Sequence, residues 1–426
     1  MTESKLAIHG GAPAVKTKLK RFNTIGKNEE SAVSKVIKSG VLSKYLGCWD
    51  EDFYGGPKVK LFEKACSEYF NVKYSIAVNS WTSGLICAVG AIGIEPGDEI
   101  IVSTWTMCAS ATAILHWNAI PIFADIEDKT FNICPKSVEN NITKKTKAIL
   151  AIDIFGHPCD YNALNKLCDR YGLILITDSA QAPGAFYKSK MTSTGSHIGG
   201  FSLNYHKHIH TGEGGIIVTN DELFYKKMTL IRNHGEAVVE DMKFDDITNI
   251  IGYNFRMGEL EAAIGIEQLK RLGKIIKTKQ SEAKKITAGL KNIRGLIIPE
   301  IEKDCSHSFY TYPLLLDKKM IKISRDKIIN ALKKEGVKGL FGGYANIHLL
   351  PVFQNKIAYG KHGFPWTYIR TRKDINYEKG ICPVAEELND KTFFGIEMCL
   401  YEYSDKNIEE LINAFLKVFE NLDKVD

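Results

Sequence analysis

The chain lacks paired-cysteine motifs and long apolar runs. Its ten cysteines include none in a C-x-x-C arrangement, which argues against a disulfide frame and against a zinc site. No apolar stretch reaches the roughly 18 residues that a membrane-spanning helix needs. The N-terminal sequence Met-Thr-Glu-Ser-Lys has no signal-peptide hydrophobic region. We therefore expect reduced thiols, no membrane contact and a cytoplasmic location.

A strong excess of charge of either sign is also absent. Lysine and arginine number 56 and aspartate and glutamate 50, which leaves a formal charge of +6 on 426 residues. Because this charge is small and scattered, it argues against a nucleic-acid partner, while a mild positive field suits an anionic substrate. Hydrophobic residues make up 44% of the chain, enough for a large core.

From about residue 74 onward, apolar strand patterns alternate with helix patterns. Strands are predicted at 74–78, 99–102, 120–124, 148–152 and 173–177. Such alternation predicts βαβ crossovers and a mainly parallel sheet covered by helices. A lysine-rich helical stretch then runs to about residue 290, followed by shorter strands and helices. We predict a large α/β domain over residues 1–275 and a smaller C-terminal α+β domain over residues 276–426.

Two segments of the predicted large domain carry reactive groups. An apolar run ends at Asp178-Ser-Ala-Gln181, and Lys207 lies between Ser202 and the glycine-rich turn Gly212-Glu-Gly-Gly215. A carboxylate at the end of a buried strand can keep a pyridine nitrogen protonated, and a lysine amine can bond to an aldehyde. Each residue alone also fits a turn or a surface loop. Together, a carboxylate at the end of a buried strand and a lysine flanked by hydroxyl and glycine groups are what a protein needs to hold pyridoxal phosphate.

A third segment, Val78-Asn-Ser-Trp-Thr-Ser-Gly84, joins a predicted strand to a predicted helix. Hydroxyls and backbone amides at a helix N-terminus bind phosphate well. The same residues also fit a plain helix cap, so this segment is a weak signal when taken alone.

Together these segments make the chain resemble the fold-type I pyridoxal-phosphate sugar aminotransferases of the DegT/StrS group. The resemblance runs over nearly the whole chain. Further segments that carry it are Gly93-Ile-Glu-Pro-Gly-Asp-Glu-Ile-Ile-Val102, Pro121-Ile-Phe-Ala-Asp125, Gly252-Tyr-Asn-Phe-Arg256 and Glu261-Ala-Ala-Ile-Gly265. It implies an α/β protein with a large, mainly parallel sheet of the seven-stranded type and a smaller C-terminal α+β domain.

The resemblance also implies roles for individual residues. Lys207 would be the Schiff-base lysine and proton shuttle, and Asp178 and Gln181 would pair with the pyridine nitrogen and the ring oxygen of the cofactor. Asn254 matches a residue that reaches the phosphate from the partner subunit, which implies a homodimer with shared active sites. The remaining implied roles are phosphate binding by Thr82, Ser83 and Ser202 and substrate binding by His348 and Glu213.

The chain departs from the family pattern at several positions. Met107 stands where an aromatic ring usually stacks on the cofactor, and Trp105 is an alternative for that contact. Asp153 replaces a histidine that relatives carry. Three histidines surround Lys207 in the run Tyr205-His-Lys-His-Ile-His210, and they would line the cleft or pack locally. A metal site built from them is the less favoured interpretation, and we expect no metal.

The leading hypothesis is an aminotransferase that moves an amino group from glutamate, or glutamine, to a keto sugar, specifically a nucleotide-linked keto-deoxysugar. One alternative is amination of a cyclitol ketone of the inosose type. Another is a cofactor-dependent sugar 3-dehydratase, whose relatives carry histidine at the lysine position. A regulatory protein that only keeps the fold is disfavoured, because Asp178, Gln181 and Lys207 are all present.

Overall fold

The structure is a computed structural model that describes residues 5–425. Its strands are β1 Lys20–Arg21, β2 Tyr74–Val78, β3 Glu99–Ser103, β4 Ile120–Ala124, β5 Thr146–Ile152, β6 Ile174–Asp178, β7 Phe186–Tyr187, β8 Lys190–Met191, β9 Ile198–Ser202, β10 Gly215–Thr219, β11 Leu296–Ile297, β12 Thr311–Leu316, β13 Leu340–Phe341, β14 Phe393–Glu397 and β15 Tyr401–Glu402. Its α-helices are α1 Lys27–Ser39, α2 Pro57–Phe70, α3 Trp81–Ala91, α4 Ala109–His116, α5 Pro135–Asn141, α6 Tyr161–Tyr171, α7 Glu222–Arg232, α8 Glu259–Leu269, α9 Leu272–Leu290, α10 Arg325–Lys334, α11 Pro351–Gln354, α12 Pro383–Glu387 and α13 Asp405–Phe419.

A seven-stranded sheet organises the first part of the chain. Its strand order is β2-β10-β9-β6-β5-β3-β4, and β10 alone among these seven runs antiparallel to its neighbours. The strands are buried on both faces, which explains their continuous apolar sequences. This sheet confirms the predicted α/β class with a mainly parallel sheet.

Local sequence explains where the crossover helices begin and end. Helix α6 starts after Asp160, whose side chain accepts a hydrogen bond from the Ala163 N–H, and it ends at Gly172 in the left-handed region. Helix α3 starts after Ser80, which caps it through the Ser83 N–H. Because α3 follows β2 directly, its N-terminus lies at the carboxyl edge of the sheet.

The C-terminal part forms a second, antiparallel sheet of four strands in the order β11-β12-β14-β13. Helices α9, α10 and α13 contribute to the apolar core on this sheet, and Leu6 from the N-terminal segment is buried in the same core. The predicted domain boundary near residue 275 falls inside α9, so the division into residues 1–275 and 276–426 remains a proposal.

None of the helices within residues 5–425 combines the length and apolarity needed to cross a bilayer. All ten cysteines lie in this range as free thiols, and of these ten only Cys48 is exposed.

Candidate active site

The carboxyl edge of the seven-stranded sheet gathers the residues singled out in the sequence. Strand β6 ends at Asp178, and β9 ends at Ser202. The register aligns Ser202 with Gly215 and Gly215 with Val78, the last residue before the loop to α3. Neighbouring strands lie about 4.8 Å apart. The sheet therefore brings the three sequence segments to one place, where open α/β sheets bind ligands.

Asp178 is buried and held on both oxygens. Its Oδ1 accepts hydrogen bonds from the indole Nε1 of Trp81 at 2.7 Å and from the backbone N–H of Ala180 at 3.0 Å, and its Oδ2 accepts one from the Ser110 hydroxyl at 2.9 Å. Burial raises the pKa of this carboxyl, whereas the three hydrogen bonds and the charge of Lys207 oppose that rise. The carboxylate is therefore fixed in orientation.

Trp81 reaches Asp178 because two glycines leave room for its ring. A Cβ atom at Gly84 would lie 2.7 Å from the indole, and one at Gly200 would lie 2.1 Å from it. Neither Trp81 nor Ser110 was predicted as a site residue. The glycines at 84 and 200 were the available signal, but nothing in the sequence connects them to a tryptophan.

Lys207 lies in the hairpin between β9 and β10. Gly212 takes a positive φ of 87° there, and Gly214 leaves no room for a Cβ against Thr211. The lysine is 7% exposed, and its amine stands 4.4 Å from the ring centroid of Tyr310. Burial lowers the pKa of the amine to about 8, although the charge of Asp178 raises it. This amine loses its proton far more readily than a surface lysine.

Gln181 is buried, and both ends of its amide are hydrogen-bonded. Its Oε1 accepts from the backbone N–H of Phe155 at 2.7 Å, and its Nε2 donates to the hydroxyl of Tyr344 at 2.8 Å. Because the oxygen is already engaged, the orientation of the amide is fixed. One N–H of the amide remains for an oxygen acceptor.

The N-terminus of α3 and the end of β9 supply hydroxyls. Thr82 is half-buried in the first turn of α3, and Ser83 is buried, with its hydroxyl donating to Oδ1 of Asn79 at 2.7 Å. The Ser202 hydroxyl accepts from the N–H of Asn204 at 3.3 Å. The positive end of the helix dipole adds to these groups and favours an anion.

Asn254 and Met107 are both exposed. Oδ1 of Asn254 accepts from Nε of Arg256 at 2.7 Å, and its backbone carbonyl accepts from Nδ2 of Asn79 at 3.3 Å. Helix α8 is capped by Gly258, so Asn254 does not cap it. Asn254 thus lies beside the start of α3 with an accessible side chain.

Trp105 does not offer a ring to the cleft, contrary to the alternative raised for it. Its side chain is fully buried, and its indole N–H donates to the backbone carbonyl of Tyr344 at 2.6 Å. The ring packs edge-on against Phe155 and Phe393. Met107, at 56% exposure, remains the candidate for contact with a cofactor ring.

His348 is not exposed to the cleft. It is fully buried, with Nε2 at 3.0 Å from Oε1 of Glu386 and Nδ1 hydrogen-bonded to the Thr104 hydroxyl. Since both ring nitrogens are engaged, direct contact with a substrate would require the side chain to move. Glu213 is exposed, and its Oε1 accepts from Nδ2 of Asn204 at 2.8 Å. The substrate roles of both residues remain predictions.

The three histidines around Lys207 lie in different surroundings. His208 is fully buried and bonds through Nε2 to the carbonyl of Ser308 at 2.9 Å, whereas His206 and His210 are half-buried. Burial lowers the pKa of His206 and His208 to about 4. Within residues 5–425, no His, Cys, Asp and Glu side chains are grouped so that they would hold a metal ion.

The donor and acceptor set fits pyridoxal phosphate. Three of the roughly four lone-pair positions of the Asp178 carboxylate are used, which leaves one for a pyridinium N–H. The free N–H of Gln181 suits an anionic ring oxygen, and the α3 N-terminus suits the phosphate. The amine of Lys207 has no hydrogen-bond acceptor among the described residues and suits covalent attachment.

Comparisons with known proteins agree with this geometry. The chain is 33% identical to a GDP-perosamine synthase of Vibrio cholerae, over 80% of this chain and 91% of that protein. It is 27% identical to a putative L-glutamine:3-amino-2,3-dideoxy-scyllo-inosose aminotransferase of Streptomyces kanamyceticus, over 98% of both chains. The X-ray structure of an aminotransferase from Psychrobacter cryohalolentis superposes with a TM-score of 0.82 at 28% identity, covering 95% of this chain and 100% of that one.

The model of the DegT/DnrJ/EryC1/StrS aminotransferase family matches residues 24–379. That match covers most of the chain, including the hairpin of Lys207 and the strand end at Asp178. It confirms the predicted family, the fold-type I architecture and the pyridoxal-phosphate cofactor. The chain therefore belongs to the DegT/DnrJ/EryC1/StrS family and is a pyridoxal-phosphate-dependent aminotransferase of the sugar-aminating kind.

Proposed function

We propose that this enzyme moves an amino group from glutamate, or glutamine, to the ketone of a nucleotide-linked keto-deoxysugar, with Lys207 as the residue that bonds to the cofactor. The observation that carries this proposal is the buried amine of Lys207, which lies within the electrostatic reach of Asp178 and over the ring of Tyr310. The perosamine synthase similarity supports a nucleotide-linked sugar as the amino acceptor.

Bound pyridoxal phosphate supplies an electron sink that stabilises negative charge on the substrate carbon. The residues of the chain orient it and handle protons. Asp178 would keep the pyridine nitrogen protonated, and Gln181 would donate to the ring oxygen. The neutral amine of Lys207 would take a proton from one carbon and return it to another, since its pKa of about 8 lets it exist in both forms near neutral pH.

A cyclitol ketone is the second candidate acceptor. It is favoured by the inosose aminotransferase relative, which matches this chain from end to end, whereas the perosamine synthase matches 80% of it. The name of that relative also specifies glutamine as the amino donor. Both acceptors present hydroxyl groups around one ketone, so the same cofactor geometry serves either.

The dehydratase alternative has less support. It needs a histidine as the base beside the cofactor. His208 is fully buried with Nε2 bonded to a backbone carbonyl, and His206 contacts Tyr205 and Tyr310 edge-on or tilted. Lys207 has the amine with the lowered pKa. We therefore favour transamination over dehydration.

We further propose a homodimer in which Asn254 reaches the phosphate of the partner's cofactor. The exposed carboxamide supports this, as does an apolar surface close to the same loop. The loop after α1 is tied to this region, because the carbonyl of Leu46 accepts from Asn233 at 2.8 Å and that of Leu42 accepts from the N–H of Glu259 at 3.1 Å. Exposed apolar side chains on these segments are Ile37, Leu42, Leu46, Trp49, Ile247 and Ile251. Their burial on association would stabilise a dimer.

The deciding experiment is amination by the purified holoenzyme of a panel of nucleotide-linked keto sugars and keto cyclitols, each with glutamate or glutamine, read by mass spectrometry. Lys207→Ala is the matched control. A gain of one amino group only with nucleotide-linked sugars supports the first proposal, and a gain only with cyclitols supports the second. Loss of a hydroxyl without gain of nitrogen would support a dehydratase and overturn both.

A further inference from the structure

Two tyrosines from the C-terminal part of the chain contact the two groups that face the cofactor from the large sheet. Tyr310 directly precedes β12 and lies under the amine of Lys207 at 4.4 Å. Tyr344 follows β13, and its hydroxyl accepts from Nε2 of Gln181 at 2.8 Å. The hydroxyls of the two tyrosines also influence each other electrostatically. Each of the two groups therefore has one tyrosine of the C-terminal part beside it.

We propose that Tyr310 and Tyr344 are positioning residues, with the ring of Tyr310 supporting the amine of Lys207 and the hydroxyl of Tyr344 fixing the amide of Gln181. This inference rests on the proposed roles of Lys207 and Gln181. In this proposal, the C-terminal part of the chain, and not the large sheet alone, fixes the positions of the Lys207 amine and the Gln181 amide.

The amine of Lys207 needs such a support. Within residues 5–425, its Nζ makes no hydrogen bond and no ion pair. A lysine side chain has four flexible carbon–carbon bonds, so an amine without partners samples many positions. An aromatic face attracts the cationic form and excludes other positions by contact. The Tyr310 ring therefore limits the positions that the amine can take.

The amide of Gln181 needs its partner for a different reason. Its oxygen is fixed by the N–H of Phe155, and its nitrogen has two N–H groups. The Tyr344 hydroxyl takes one of them, which leaves the other aimed away from the tyrosine. Without that hydroxyl, the amide nitrogen would have one fewer fixed partner, and its remaining donor would be less well oriented.

Both tyrosines are anchored through their backbones. The carbonyl of Tyr310 accepts from the N–H of Met398 at 3.1 Å, and the carbonyl of Tyr344 accepts from the buried indole of Trp105 at 2.6 Å. Gly343 has a φ of 101° and leaves no room for a Cβ against Trp105. These anchors explain how the two side chains keep their places, and they give Trp105 a structural role.

The test compares Tyr310→Leu, Tyr310→Phe and Tyr344→Phe with Tyr312→Phe in the holoenzyme. Tyr312 is the matched control, because it lies two residues further along the chain on β12, is fully buried and bonds through its hydroxyl to Thr287 at 2.7 Å. Each variant is measured by the pH titration of its visible absorption band, by its cofactor affinity and by kcat and KM for the amino donor. Thermal unfolding reports whether each variant is folded.

Tyr310→Leu should lower kcat roughly tenfold with little change in KM, whereas Tyr310→Phe keeps the ring and most of the rate. Tyr344→Phe should weaken cofactor binding roughly fivefold to tenfold and shift the midpoint of the band titration. Tyr312→Phe should alter only thermal stability.

The proposal is overturned if Tyr310→Leu titrates and turns over as the wild type does, or if Tyr312→Phe shifts the band as much as Tyr344→Phe. Borohydride reduction of the wild-type holoenzyme, followed by peptide mapping, tests the role of Lys207 separately from the role of the two tyrosines. A label on another lysine would contradict the proposed role of Lys207 itself. A label on Lys207, combined with tyrosine variants that behave as the wild type does, would contradict only the inference about the tyrosines.

Discussion

The indole N–H of Trp81 donates a hydrogen bond of 2.7 Å to Oδ1 of Asp178, the carboxylate expected to face the pyridine nitrogen. Hydrogen bonds to charged groups stabilise the charged form. Trp81 therefore helps to keep Asp178 ionised in a buried place, where burial alone would raise its pKa. In the proposed arrangement, this residue in the first turn of α3 would act on the ring nitrogen, at the end of the cofactor away from the phosphate.

We predict that Trp81→Phe lowers kcat roughly 10- to 100-fold, because the carboxylate loses a donor and keeps only Ser110 and Ala180. Stopped-flow absorbance of the half-reaction with amino donor measures the effect. Trp117→Phe is the matched control, since the indole of this buried residue donates to the carbonyl of Ile86 at 2.8 Å. Equal losses in the two variants would show that the effect is general destabilisation.

Asp178→Asn should slow transamination by several orders of magnitude while the cofactor still binds. The amide fills the same space but does not keep the pyridine nitrogen protonated, so the electron sink weakens. The rate of the half-reaction measures this change. Asp160→Asn, at the exposed cap of α6, should turn over normally. Near-normal turnover of Asp178→Asn would mean that another group serves the ring nitrogen.

The capture of pyridoxal phosphate by cofactor-free enzyme should speed up as pH rises and level off above pH about 8. The sign follows from the amine, because only the neutral form attacks an aldehyde and the pKa of Lys207 is lowered to about 8 by burial. Since the charge of Asp178 raises that pKa, Asp178→Asn should move the midpoint to lower pH. Rates of absorbance change across a pH series test both statements. A midpoint near that of an ordinary surface lysine would contradict the assignment.

Mixing Lys207→Ala with an Asn254 variant that binds phosphate poorly should restore activity toward roughly a quarter of the wild-type level. With random pairing, about half of the dimers are mixed, and each mixed dimer has one site with both native residues. Activity is measured after subunit exchange, and Lys207→Ala alone is the control. No recovery in proven heterodimers, or a monomer in solution, would rule out shared sites.

Much of the large sheet could be predicted, because each strand and helix carries its own signal. The bounds predicted for β2 and β4 match the structure, since each is an apolar run with polar or turn residues at its ends. Helix α6 carries the same kind of local signal, with Asp160 before it and Gly172 after it. Local patterns of this kind depend on neighbouring residues only.

The break between α8 and α9 was not predicted. The sequence there continues a helical pattern, and both Lys270 and Arg271 keep right-handed helical dihedrals. The nearest glycine, Gly273, lies inside α9 and not at the break.

The contacts in the site that were not predicted join residues that are far apart in the sequence. Trp81 and Asp178 are 97 residues apart, and Gln181 and Tyr344 are 163 apart. His348 was expected to touch substrate from its motif alone. Its partner Glu386 lies 38 residues further on, and nothing near the motif indicates that the two are buried together.

The hairpin that carries Lys207 closes locally, between antiparallel neighbours, with the N–H of Leu203 bonded to the carbonyl of Gly214 at 2.9 Å. Short loops close faster than the long separations that bring Tyr310 and Tyr344 into place. We therefore expect the turn that carries Lys207 to form early in folding, and the two tyrosines to reach their places when the C-terminal part docks. A refolding chain should regain the absorbance of bound cofactor before it regains turnover, so the binding of the cofactor and the completion of the catalyst are separate events in the life of the protein.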